Sequence, residues 1–341
     1  LELENGLVTK LTEPNLNSNI GGVINWFSDS ENMLVKMISR NRKPLIDTNK
    51  IVPDGPTIST NFGEKAQNRT YQDLLKNKFD EHNFEQLSTS AIYKVSIDGS
   101  VKKWMDDGMY RTISFSPNGE YVMISKINKP FSYLVTYSRF PTETNIYTKD
   151  GDFVSNLQKV PLIEELPKGF MSVRTGKRSF SWRPDKGASL TYVTALDSGD
   201  PSKKVDFRDE VYELNYPFLG QGKSILKTIN RFSRIDWATK DMAIAYDTWW
   251  NTRNRKSYVF NPSNPNIKPK IISDRNYQDT YSDPGNFLKS RNEFNRSVLK
   301  MHYGNIFLRG QGFSPSGQFP FIDKVNTKTF EKTRVYQSKY T

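Results

Sequence analysis

One short pattern recurs along the chain and limits what it can fold into. An aromatic residue ends an apolar stretch, a turn rich in Ser, Pro, Asp, Asn or Gly follows, and a second apolar stretch runs back. INWFSDSENMLV (24–35), ISFSPNGEYVMI (113–124), FSWRPDKGASLTYV (180–193) and RIDWATKDMAIAYD (234–247) all have this form. The aromatic is Trp26 or Phe27, then Phe115, Trp182 and Trp237. In the second copy the turn carries Asn118-Gly119, two residues that tolerate positive φ. SVLKMHYGNIFLRG (297–310) is a degenerate fifth copy that keeps strand–Gly–strand. Hairpins recurring at intervals of tens of residues mark a repeat architecture, and a β-propeller blade takes about 40–50 residues in four short strands. Trp182 to Trp237 is 55 residues, Phe115 to Trp182 is 67, and Trp26 to Phe115 is 89. The first interval suits one blade. The last leaves room for an insertion, which segment 39–90 fills. The predicted fold class is therefore all-β: a β-propeller of several four-stranded blades with one helical insertion.

Within the insertion, residues 40–60 are Pro-rich and polar and read as an extended loop. RTYQDLLKNKFDEHNFEQ (69–86) reads as a helix near 70–86, because Tyr71, Leu74, Leu75, Phe79 and His82 fall on one face. Thr70 with Asp73 resembles a capping box at its start. Long loops at 126–145, 159–178, 197–208 and 274–295 are expected at the propeller faces, where ligands and neighbouring domains dock.

Composition narrows the chemistry. Aromatic residues make up 13% of 341, enough to build a core. No cysteine is present, which removes disulfides, thiol nucleophiles and thiolate metal sites. The only histidines are His82 and His302, so a His-rich metal site is impossible and any Ser-His-Asp triad would need one of them. Asp150-Gly151-Asp152 lacks the ligand spacing of a calcium loop and reads as a turn. No metal and no cofactor is expected. The net charge of +12 favours anionic partners. The basic residues are scattered rather than gathered into an arm, which argues against nucleic acid. No apolar run is long enough for a membrane span. The start at Leu1, with no signal sequence, reads as a cut in a longer protein.

Candidate catalytic and binding residues follow. GQGFSPSG (310–317) approaches the G-x-S-x-G nucleophile turn, but Ser316 stands where the second Gly belongs and no helix-forming run follows Ser314. No catalytic residue is assigned to this chain. His82 reads as a core or interface residue of the helix, and His302 as a strand residue. Arginine carries the most suggestive chemistry, since a guanidinium grips a carboxylate through two parallel hydrogen bonds. Arg139 lies in YSRFP, Arg174, Arg178 and Arg183 in SVRTGKRSFSWRPDK (172–186), and Arg253 and Arg255 in DTWWNTRNRK. The competing reading pairs each Arg with an acid between blades. Trp249 and Trp250 are expected to point to opposite faces of a strand. Sequons occur at Asn68 and Asn295.

Taken in order, several stretches resemble the propeller of glutamyl endopeptidases, a branch of the prolyl oligopeptidase-like serine peptidases. They are PDGPTIS (53–59), RTYQDLLKNKFDEHNFEQ, KVSIDGSVK (94–102), NKPFSYLVTYSRFP (128–141), SVRTGKRSFSWRPDK, YVTALDSGD (192–200), DTWWNTRNRKSYVFNP (247–262), DRNYQDTYSDPG (274–285) and GQGFSPSGQFPFID (310–323). The resemblance implies that residues 1–341 form most of a seven-bladed propeller. Early blades and a C-terminal α/β-hydrolase domain holding the Ser, Asp and His would lie outside this chain. It also implies a gating and substrate-access role in cleavage after glutamate. The expected partners are Glu-containing acidic peptides and the chain's own hydrolase domain. Arg139, Arg174 and Arg178 are the expected substrate-binding residues, because they sit in these stretches and in loops. A non-catalytic propeller that binds peptides or proteins is the alternative. Lys- and Asn-rich, cysteine-free composition suits a bacterial periplasmic or secreted protein, and family members also occur in plastids.

Overall fold

A computed structural model describes residue 4, residues 6–47, residue 50 and residues 71–340. The chain divides into two compact units, Leu1–Glu165 and Leu166–Thr341. The fold is all-β, of the propeller type: among the described residues four consecutive four-stranded antiparallel meanders, the first two sharing a strand, precede a more broken sheet, with one helical insertion.

In the first unit β1 (Ile24–Trp26), β2 (Asn32–Ile38), α1 (Lys78–Ser88), β3 (Ser90–Ser96), β4 (Val101–Phe115), β5 (Tyr121–Ile127), β6 (Thr142–Thr148) and β7 (Phe153–Val160) follow in order. The strands pair β1-β2-β3-β4-β5-β6-β7. β4 has 15 residues and belongs to two sheets. Residues 101–108 pair with β3 and residues 109–115 with β5. In the second unit β8 (Arg178–Trp182), β9 (Ser189–Ala195), β10 (Asp209–Asn215) and β11 (Lys223–Thr228) form one sheet. β12 (Arg231–Thr239), β13 (Met242–Trp249), β14 (Asn254–Phe260) and β15 (Lys270–Asn276) form the next.

The remainder is more broken: β16 (Asn286–Phe287), β17 (Lys289–Arg291), β18 (Ser297–Leu299), β19 (Met301–His302), β20 (Asn305–Gly310), β21 (Phe313–Ser314), β22 (Gly317–Gln318), β23 (Phe321–Asn326) and β24 (Lys332–Gln337). Its main sheet runs β16-β20-β23-β24. The degenerate fifth repeat is the β19–β20 hairpin, turning at Tyr303-Gly304.

The four clear repeats are the β1–β2, β4–β5, β8–β9 and β12–β13 hairpins, the first of each sheet. Three of their turns close by the same kind of bond: Phe27 N–H to the Asn32 carbonyl, Ser116 N–H to that of Tyr121, Arg183 N–H to that of Ser189. The repeated aromatics then meet the neighbouring sheet. Phe27 and Phe115 rings lie 4.6 Å apart, and the Arg183 guanidinium lies 4.1 Å over the Trp237 ring. Central strands are covered on both faces, so β2, β9 and β13 read as near-continuous apolar runs. β15 and β24 are outer strands and mostly exposed.

The helix runs over Lys78–Ser88, starting later than the sequence pattern predicts. The reason is local. Asn77 is the cap, its side chain accepting from Phe79 and Asp80 N–H, while Asp73 adopts φ 56°, outside the helical region. Tyr71 and Leu75 still pack with Phe84 against the cluster of Ile20, Phe131, Val135 and Phe140. His82 Nε2 is 3.0 Å from the Pro44 carbonyl oxygen. Thr70, the Asn68 sequon and PDGPTIS lie outside the described residues. Among the described residues no helix is long and apolar enough to cross a membrane.

Candidate carboxylate-binding site

In an antiparallel meander the starts of the first and third strands and the ends of the second and fourth share one edge. In the sheets β8–β11 and β12–β15 that edge collects arginines. Arg178 opens β8, Arg208 precedes β10, Arg231 opens β12, and Arg253 and Arg255 flank the start of β14. The two sheets pack through Val193, Val211, Ile225, Trp237, Ala243 and Phe260.

Two aspartates organise the first group. Asp197 Oδ2 accepts from Arg231 at 2.7 Å and Arg208 at 2.9 Å. Asp209 accepts from Arg231 at 3.0 Å and from Phe232 N–H at 2.8 Å, and pairs with Arg178. Both carboxylates are fully buried. Arg231 also donates to the Met171 carbonyl at 2.8 Å, tying the loop before β8 to the network. Three guanidiniums thus share two carboxylates.

That loop is shaped by a close approach of backbones. Gly199 has φ +77°, and Val173 N–H donates to its carbonyl at 3.1 Å. A Cβ at Gly199 would sit 1.8 Å from the Val173 carbonyl oxygen, so only glycine fits. Asp197 Oδ1 accepts the Gly199 N–H at 2.9 Å and sets the turn. Arg174 follows directly. It is half-buried, and its guanidinium donates to the Thr175 carbonyl at 3.0 Å and to that of Lys177. Burial, with the adjacent Arg178 charge, pulls Arg174 below the usual guanidinium value. Burial likewise pulls Lys177 down, and its ammonium donates to the Gly220 carbonyl at 2.5 Å.

The structure therefore brings Arg174 and Arg178 together at one sheet edge, with Arg178 facing Asp209. Arg139 belongs to the other unit. It ends the turn Tyr137–Arg139, lies 5.5 Å over the Tyr71 ring, and accepts the Ile163 N–H at its carbonyl. Arg183 is a structural residue. It is almost fully buried and bonded to Asp185 and, at 2.9 Å, to Glu213. Trp249 ends β13, but Trp250 lies in the following turn, not in a strand. Each carries a guanidinium: Arg208 at 3.9 Å over Trp249, Arg253 at 3.8 Å over Trp250. Sequence reasoning did not find Arg208, Arg231, Asp197 and Asp209, whose only signal was their common position at strand ends.

Ser314 lies in the small β21–β22 hairpin, bonded to the Gly317 carbonyl at 3.0 Å. It borders an open pocket of about 540 Å³ with Asp283, Phe319, Lys332 and Arg334, and no histidine is among the lining residues. The His302 ring instead lies 4.2 Å from that of Tyr303, tilted by 57°. Among the described residues no group of three or more His, Asp or Glu could hold a metal ion.

No protein-family model matches the chain. It is 38% identical over 295 residues to a probable chloroplastic glutamyl endopeptidase of Oryza sativa subsp. japonica, covering 84% of this chain and 31% of that protein. It is 33% identical over 324 residues to a probable chloroplastic glutamyl endopeptidase of Arabidopsis thaliana, covering 91% of this chain and 33% of that protein. The chain spans about a third of the length of these relatives. Likeness to solved structures is weaker. The β-propeller domain of the Trilobed protease from Pyrococcus furiosus matches at TM-score 0.39 and 9% identity, over 92% of this chain and 70% of that one.

Proposed function

Since this chain is a relative of the glutamyl endopeptidases, we propose that it is the propeller segment of a longer serine peptidase and helps admit and read acidic peptides. The observation that carries the reading is the 38% identity to such a protein across most of the chain. Further blades and the α/β-hydrolase domain would lie in the rest of that longer protein. The chemistry would be acyl transfer by a Ser-His-Asp triad there, with an oxyanion hole holding the tetrahedral intermediate. This chain would supply gating and carboxylate recognition for cleavage after glutamate.

Arg139, Arg174 and Arg178 are the proposed carboxylate-facing groups. At the sheet edge Arg174 is the reader: its loop is fixed by the Val173–Gly199 approach and by Arg231 on Met171. Arg178, held by Asp209, keeps a second positive charge beside it. A charge-assisted hydrogen bond to a substrate carboxylate is worth about 1.5–3 kcal/mol, which separates Glu from Gln by roughly ten- to a hundred-fold.

The test is cleavage of matched Glu and Gln peptides by the complete protein and its Arg174→Ala variant. Loss of the Glu preference with retained labelling of the active serine supports the reading. A Glu preference that survives in Arg139→Ala, Arg174→Ala and Arg178→Ala alike refutes the assignment of these residues. Absence of any fluorophosphonate-reactive serine in the complete protein refutes the peptidase.

A further inference from the structure

Arg253 and Arg255, in the motif DTWWNTRNRK, form a second cationic site at the β13–β14 turn. We infer that they are an exosite for an extended acidic peptide carrying carboxylates at alternate positions. The inference rests on the reading of the chain as a peptide-handling segment and adds a place and a sequence preference to it.

The guanidiniums are built in but not neutralised. Arg253 lies 3.8 Å over Trp250, whose ring is 5.4 Å from that of Phe170. Arg255 lies 5.5 Å over Tyr277. Both arginines are half-buried, and Arg253 Nη1 and Arg255 Nε are buried without a hydrogen-bond partner. Among the described residues neither side chain forms an ion pair. The nearby carboxylates are committed elsewhere. Asp274 takes Lys256 and Asn254, Asp283 takes Arg275 at 3.2 Å, and Asp247 takes Asn230 and Tyr258. Arg255 also stands directly opposite Arg275 in the β14–β15 register. Like charges facing each other across strands are destabilising, and a bound anion relieves them.

The backbone fixes where the two arginines stand. Arg253 holds φ 55°, with its N–H on the Trp250 carbonyl at 3.2 Å and its carbonyl accepting Tyr277 N–H at 2.8 Å. One residue separates it from Arg255, so their Cα atoms are at most about 7 Å apart. Same-side residues of an extended peptide are spaced by about 6.8 Å. A Cα separation within that spacing suits two carboxylates at alternate positions, Glu-x-Glu. A nucleic acid would need open aromatic faces for its bases. Here the Trp250 and Tyr277 rings already carry the guanidiniums.

The experiment is calorimetric titration of the complete protein, its active serine blocked with a fluorophosphonate, with a capped decapeptide bearing Glu at alternate positions. The same peptide with Gln and a single-stranded thymidine decamer serve as comparisons. The Glu peptide is expected to bind at least about ten-fold tighter than the Gln peptide. That advantage should vanish in Arg253→Gln/Arg255→Gln and be partly kept in Arg253→Lys/Arg255→Lys, with near-ultraviolet dichroism unchanged in both. Equal binding of the Glu and Gln peptides overturns the inference. So does an advantage that persists in the double Gln variant but falls in Arg174→Gln, a result that leaves the proposed function standing. Tighter binding of the oligonucleotide, lost in the double variant, overturns it in favour of nucleic acid.

Discussion

Asp209→Asn is the change that tests the most about the second unit. Asp209 is fully buried between two guanidiniums, those of Arg178 (11% exposed) and Arg231 (4% exposed). Asparagine has the same shape, so no cavity opens, and its amide oxygen still accepts the Phe232 N–H. What disappears is the negative charge. Arg231 keeps Asp197, but Arg178 is left without a carboxylate among the described residues. Removing one partner of a buried pair costs about 3–5 kcal/mol, because the other charge stays buried and uncompensated. Arg178→Met leaves Asp209 bonded to Arg231 and Phe232 and should cost only about 1–2 kcal/mol. The double variant should lose less than the sum of the two, since the stranded cation is gone. Urea unfolding followed by tryptophan fluorescence is the assay, as Trp182, Trp237, Trp249 and Trp250 of the 6 tryptophans lie in this unit. With an m-value of about 2–3 kcal/mol/M, a loss of about 4 kcal/mol moves the midpoint down by about 1.3–2 M. A midpoint within about 0.3 M of wild type for Asp209→Asn would refute the reasoning. So would an equal shift in Arg178→Met.

Three further outcomes are expected. Burial alone would raise the Glu213 carboxyl, but Lys186, Arg183 and Ser189 outweigh it and hold it below the usual carboxylate value. Its stabilising contribution is therefore present above about pH 4.5 and lost as the pH falls through the lowered value. The stability gap between wild type and Glu213→Gln should be wide at pH 7 and close toward pH 3; a constant gap would contradict this. Gly199→Ala meets the Val173 carbonyl and a positive φ, and should cost about 2–4 kcal/mol while deprotecting the Val173 amide in hydrogen exchange. Asn77→Ala removes the acceptor for Phe79 and Asp80 N–H and should cost about 1 kcal/mol, read as a lower melting temperature; no change would argue that the cap is idle.

The hairpins were legible because their signals are local: an aromatic, a turn and an apolar return strand fall within a dozen residues or so. The helix was half legible. Tyr71, Leu74, Leu75, Phe79 and His82 keep helical spacing, but Tyr71 and Leu75 reach the same apolar cluster as Phe84 from irregular chain. Shared packing produced a periodicity that the backbone does not follow before Asn77. The arginine-rich loops stood out by residue type, yet their partners did not. Asp209 is 31 residues from Arg178, and Asp197 is 34 from Arg231, separations at which only the assembled sheets decide who meets whom. Trp250 was misplaced for a similar reason, since nothing in TWWNTR says on which tryptophan the strand ends.

β4 passes from one sheet into the next without a loop, bulging between Tyr110 and Thr112 as its β5 pairing begins. Successive sheets of a meander are ordinarily joined by a segment that can lengthen, be cut or flex. The first two sheets of this chain have no such joint. Bending one against the other means breaking ladder bonds inside a strand, and pulling on either transmits tension straight along a single extended backbone. The pair should therefore exchange its amides and resist proteases as one cooperative body, with sequence additions admitted beside it, as between β2 and β3, but not through it.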